Sequence, residues 1–82
     1  MTGLNLSSVN LRESNLTSAN LSYCNLNGAK LIGANLSCAT LRGANLRFAN
    51  LSSANLEGAG LRGAYLADAI LDGVITEGAR FP

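Results

Sequence analysis

Histidine and tryptophan are absent from this chain, charge is sparse, and no stretch of it is apolar over the length of a membrane span. Without histidine there is no imidazole to serve as a general base near neutral pH or as a metal ligand. Charged residues make up only 13% of the 82, and six basic against five acidic side chains leave a net charge of +1. That balance argues against a strongly electrostatic nucleic-acid binder and against an acidic decoy. The chain does not open on a basic segment followed by an apolar one, so no signal peptide is read. No apolar run approaches the roughly 20 residues that cross a bilayer, so no membrane partner is expected. Cys24 and Cys38 have no CxxC or Cys/His company, which speaks against a zinc site. Two free thiols in so short a chain favour a reducing, cytoplasmic setting. The expectation is one domain over residues 1–82, near the size at which a single core is marginal, standing alone or as a segment of a larger protein.

What the chain does contain is a period of five. Leucine occupies fourteen consecutive positions at that spacing, from Leu6 to Leu71, and Thr76 and Phe81 continue the phase. Two residues before each of these centres stands a small residue almost throughout: Ser14, Ala19, Cys24, Ala29, and alanine onward to Ala69. Asparagine precedes the centre nine times, at Asn5, Asn10, Asn15, Asn20, Asn25, Asn35, Asn45, Asn50 and Asn55. A helix would scatter such leucines, since five residues turn through about 500°. A strand would throw them onto alternate faces, because its side-chain period is two. The pattern is satisfied if each five-residue unit is a short extended side followed by a turn of about 90°. The centre and the residue two before it then share the inner face. Four such sides close a square, twenty residues make one coil, and coils stack by parallel ladder bonds about 4.8 Å apart.

The small–Asn–Leu–x–x units resemble the pentapeptide repeat proteins, and the resemblance covers the chain from Leu4 to Phe81. It implies an all-β fold, a right-handed quadrilateral parallel β-helix, here of about four coils. The core is expected at Leu26, Leu31, Leu36, Leu41, Leu46, Leu51, Leu56 and Leu61, within a column of fourteen buried leucines. Departures from the pattern gather at the ends, where a repeat array is atypical. Leu4, Val9 and Ser14 replace alanine in the first units, and Tyr65, Ile70 and Ile75 replace the polar residue in the last.

The polar constellations read mostly as structure. Stacked asparagine amides are expected to bond along the ladder and to satisfy turn backbone. The glycines two after a centre relieve strain at corners, and no GxxxxGK[ST] phosphate loop exists. Glu13, Glu57, Asp68, Asp72 and Glu77 form no recognisable catalytic set. Neither a catalytic residue, a metal site nor a cofactor site is read, and the protein is expected not to be an enzyme. Cys24 should point inward in an alanine slot and Cys38 outward at a corner, too far apart for a disulfide. Arg42, Arg62 and Arg80 share one side and form a candidate basic wall for phosphate or carboxylate groups. Tyr23, Ile32 and Phe48 read as isolated exposed apolar residues that need no explanation.

Tyr65, Ile70, Ile75 and Phe81 lie together in the final coil and form a candidate interface, for self-association or for a cap. The expected function is therefore a non-catalytic scaffold or protein-interaction module. Some proteins similar to this repeat class mimic DNA and act on type II topoisomerases. That alternative requires a strongly acidic surface, which six basic against five acidic residues do not provide.

Overall fold

The computed structural model describes all 82 residues, and one five-residue backbone motif recurs in it from end to end. In each unit the two residues after the centre form a turn, and the residue before the centre makes a parallel bridge. The second turn residue has positive φ in all sixteen units. Glycine holds that position in half of them, for example Gly33 at φ 68° and Gly43 at φ 65°. The centre's carbonyl closes the turn by accepting from the N–H three residues on, as in Ala29 to Leu26 at 3.0 Å. A closed turn with positive φ only at its third residue carries the signature of type II.

Eight corners, however, are left-handed without glycine: Ser8, Glu13, Ser18, Tyr23, Cys38, Phe48, Ser53 and Asp68. Left-handed backbone costs a residue with a Cβ roughly 1–2 kcal/mol. The closed core and the ladders on either side of each corner hold them there.

Each bridge joins a residue to the one twenty positions on: Asn5 to Asn25, Asn25 to Asn45, Asn45 to Tyr65, and likewise along three further columns. We call each twenty-residue return a coil and each column of stacked units a side. Side one is centred on Leu6, Leu26, Leu46 and Leu66. Sides two and three begin at Leu11 and Leu16, and side four is centred on Leu21, Leu41, Leu61 and Phe81. The ladder is regular in its polarity. The centre's N–H donates to the following coil, as Leu26 does to Asn45 at 2.8 Å, and the residue before the centre donates backwards, as Asn45 does to Cys24 at 3.0 Å. The second turn residue also donates forward, as Gly28 does to Arg47 at 2.9 Å. Pairing is through single bridges rather than extended strands, because the chain turns a corner before a second residue can join.

The expected core is dry. Leu26 through Leu61 at every fifth position are fully buried, and Leu21 joins them. The alanines beside them and Cys24 fill the narrow slots near the corners. The column of fourteen buried leucines needs correction at its ends. Leu6, Leu11, Leu16, Leu66 and Leu71 are only half-buried, because each has a coil on one side and solvent on the other. Ile32 is half-buried as well, rather than exposed.

The asparagines satisfy turn backbone as expected, but correct the expectation that they bond along the ladder. All nine Oδ1 atoms accept from the N–H two residues on, within their own turn: Asn45 from Arg47 at 3.1 Å, Asn55 from Glu57 at 2.9 Å, and so on through the set. These are Asx turns. The amide oxygens serve the corner that follows rather than bonding to the next amide in the stack, because the turn N–H lies closer than the neighbouring coil. No helix in the structure is long and apolar enough to cross a membrane.

Candidate functional site

Since the interior is hydrocarbon, chemistry on this molecule belongs to its sides and its ends. All charged side chains are exposed, and no group of three His, Cys, Asp or Glu residues is placed to hold a metal ion. The two cysteines are both free, Cys24 buried and Cys38 exposed. Cys24 points inward as expected, and its thiol donates to the Met1 carbonyl at 2.7 Å.

Tyr65, Ile70, Ile75 and Phe81 are all exposed and lie in the last coil. Tyr65, Ile70 and Ile75 bridge backwards to Asn45, Asn50 and Asn55 and stand where those coils carry asparagine. The turns that follow them therefore lack an Asx acceptor. The backbone beside them has an uneven polarity. In the inner coils the centre N–H and the second turn N–H both donate forward, except at Gly63, which has no forward acceptor. In the last coil the N–H groups of Leu66, Asp68, Leu71, Gly73, Thr76 and Gly78 face forward without an acceptor. Each full side of that edge thus presents two donors and one carbonyl. The first coil presents the reverse, with the carbonyls of Asn5 and Ser7 and the N–H of Asn5 unpaired on side one.

Arg42 and Arg62 stack on side four, one coil apart, and the structure gathers them with residues outside the basic wall. A cavity of about 300 Å³ opens at the corner between sides four and one, lined by Tyr23, Arg42, Gly43, Arg62, Gly63 and Tyr65. Arg80 lies on the same side but outside this cavity, since it precedes its centre whereas Arg42 and Arg62 follow theirs. The Tyr23 ring leans along the stack over Gly43, so closely that a Cβ there would lie 2.5 Å from its Cδ1 and Cε1 atoms. Tyr65 forms the opposite flank, with the Arg47 guanidinium 4.5 Å from its ring centre, a cation–π contact. Tyr23, Gly43 and Gly63 do not emerge as site residues from the one-dimensional pattern. Their signal was the i, i+20 column itself, which sets a tyrosine above two glycines beside two stacked arginines.

Regular five-residue units, a leucine core and outward polar sides define a repeat solenoid with parallel ladders. The pentapeptide repeats profile matches the chain in eight copies, over residues 1–37 and 24–63. Pentapeptide repeat protein alr5209 from Nostoc Pcc 7120 superposes with a TM-score of 0.93 at 39% identity, covering 94% of this chain and 64% of that one. Rfr23 from the cyanobacterium Cyanothece 51142 is 40% identical, with a TM-score of 0.71 over 100% of this chain and 63% of that one. HetL from Nostoc sp. strain PCC 7120, involved in heterocyst differentiation regulation, is 36% identical with a TM-score of 0.56, over 99% of this chain and 46% of that one. The chain therefore belongs to the pentapeptide repeat family, and its fold is the right-handed β-helix of that family. It spans less than two thirds of the length of each of these three structures. Comparison with curated protein sequences returns no match.

Proposed function

We propose that this chain is a non-catalytic interaction module, a four-sided prism of about four coils that binds protein at its ends and sides. The observation that carries this reading is the last coil. Four exposed apolar side chains, Tyr65, Ile70, Ile75 and Phe81, surround a rim of unpaired backbone donors. An open edge of that kind is a template for pairing, and apolar neighbours raise the gain from covering it. In a longer chain a following coil or cap takes this seat. For the 82-residue chain the seat suits a protein partner or a second copy. A first coil stacked on the last would match two donors and one carbonyl per side with two carbonyls and one donor. A two-fold pairing of last coils leaves the second-turn N–H groups facing each other.

A cytoplasmic setting accords with the two free thiols. The DNA-mimic reading gains no support, since six basic residues offset five acidic ones.

Sedimentation of the wild type against the Ile70→Asn, Ile75→Asn double variant tests the proposal. The wild type is expected to self-associate with rising concentration, and the variant to remain monomeric and fully folded. A wild type that stays monomeric at high concentration would leave the apolar rim without a role in self-association.

A further inference from the structure

The corner cavity between sides four and one carries a second inference, which shares only Tyr65 with the apolar end. We propose that it is a binding site for a small phosphate ester bearing a flat ring, with the phosphate on Arg42 and Arg62 and the ring on Tyr23.

The first argument is electrostatic. Arg42 and Arg62 are held one coil apart, about 4.8 Å by ladder spacing, and both line the cavity. Neither has a carboxylate in ion-pair contact. The ladder sets the spacing of their backbones only, but two like charges that line one cavity still repel, and a dianion between them removes the repulsion. A carboxylate brings two oxygens and one charge, which match the geometry and charge of one guanidinium fork. A phosphate monoester offers three acceptor oxygens and close to two charges, enough for both forks at once.

Side four differs from its neighbours in a second way at these two coils. Where asparagine precedes the centre, its Oδ1 occupies the N–H two residues on, as Asn20 does for Ser22 at 3.1 Å. Thr40 and Gly60 stand in that column one and two coils further, and the N–H groups of Arg42 and Arg62 have no acceptor. A Cβ added at Gly60 would meet nothing within 4 Å, so the wall beside Arg62 is open. Two guanidiniums and two free backbone donors, unanswered by any local acceptor, suit a ligand made of acceptor oxygens.

The third argument is shape. One face of the Tyr23 ring lies over Gly43, where a Cβ would come within 2.5 Å of it, and the residue is 61% exposed, which leaves the other face free to stack. Gly63 keeps the floor open in front of it, because a side chain at that corner would occupy the hollow. Tyr65 closes the far flank and is itself braced by Arg47. A cavity of about 300 Å³ lies at the small end of ligand pockets, a size for one phosphorylated ring compound rather than a polymer.

The test is a titration of the isotopically labelled chain with adenosine monophosphate, and separately with adenosine and with inorganic phosphate, followed by amide NMR. Saturable shifts at Tyr23, Gly43 and Gly63 are expected with adenosine monophosphate, with a dissociation constant on the order of 1 mM or tighter. Inorganic phosphate should bind about an order of magnitude more weakly for want of the stacking contact, and adenosine should not saturate. Arg42→Gln and Arg62→Gln should each weaken the nucleotide without lowering the melting temperature, since both side chains are exposed and each change removes a like-charge contact. Tyr23→Ala should reduce nucleotide affinity to that of phosphate alone. The proposal is overturned if no saturable shift appears at these amides, if adenosine binds as well as its phosphate, or if the double arginine variant binds unchanged. Binding of an oligonucleotide where the mononucleotide does not bind would overturn it too, in favour of a nucleic-acid surface.

Discussion

The two inner coils and the two outer ones are written in the same five-residue pattern, yet they are physically different. Leu26 to Leu61 are fully buried, while Leu6 and Leu66, identical in their local sequence role, are half-buried. The Asx caps follow a different division: the first coil has all four, the inner coils lose them after Lys30, Thr40 and Gly60, and the last coil has none. A unit in a solenoid is therefore stabilised by the unit twenty residues before it and the one twenty after it, more than by its own neighbours in sequence. The inner coils have both and each outer coil has one, so the outer coils are where the molecule opens first.

The largest expected effect separates those regions by charge. Leu46→Lys places an unpaired ammonium in a fully dry layer and should cost about 4 kcal/mol or more, abolishing the cooperative melt. Leu66→Lys, at the half-buried edge, lets the side chain reach water along its methylene stem, and the chain should stay folded. Comparable melting losses in the two variants would show that burial by coil position does not govern stability here.

A middle-sized effect compares two corners on one column. Gly43→Ala meets both a positive φ of 65° and the Tyr23 ring 2.5 Å from the new Cβ. At Gly63, with φ 72°, the nearest atom to a new Cβ is 3.7 Å away. The φ contribution of about 1 kcal/mol should be common to both, and Gly43→Ala should cost measurably more. Adding Tyr23→Ala should erase the difference, and a thermal melt of the four variants reads it out. Equal costs before Tyr23 is truncated would mean that the ring moves aside freely.

Smaller still are the Asx caps. Asn45→Ala should lose about 1 kcal/mol with its bond to Arg47, and Asn45→Lys about the same. This half-buried position is tolerant but not neutral. The reverse change, Ile75→Asn, should install a cap for Glu77 in the last coil and gain a few tenths of a kcal/mol in the monomer. Chemical denaturation would show both signs, and a destabilised Ile75→Asn monomer would contradict the capping account.

The thiols report the same contrast with almost no energetic change. Cys38 is exposed and should react with a thiol reagent at once. Cys24 is buried beneath the first coil with its thiol on the Met1 carbonyl. It should react only as that coil opens, more slowly than Cys38 but faster than global unfolding. A Cys24 rate equal to that of global unfolding would show that the first coil does not open by itself.

The period of five, the inward leucine and small residue, and the turn placed by glycine were legible in the one-dimensional pattern because each is a local steric demand repeated many times. The fold and the core followed from them, and so did the apolar character of the last coil. The eight left-handed corners without glycine were not legible, since isolated Tyr23, Phe48 or Cys38 would avoid that region and only the closed core imposes it. The partner of each asparagine oxygen was legible only in part, because turn and ladder both offered donors and their relative distances decide between them. The cavity was least legible of all. Its Tyr23, Arg42, Gly43, Arg62 and Tyr65 are spread over forty-three residues, and they meet only because every coil returns the chain to the same corner. Local chemistry determined what each five-residue unit is; the stacking of coils decided what each one touches.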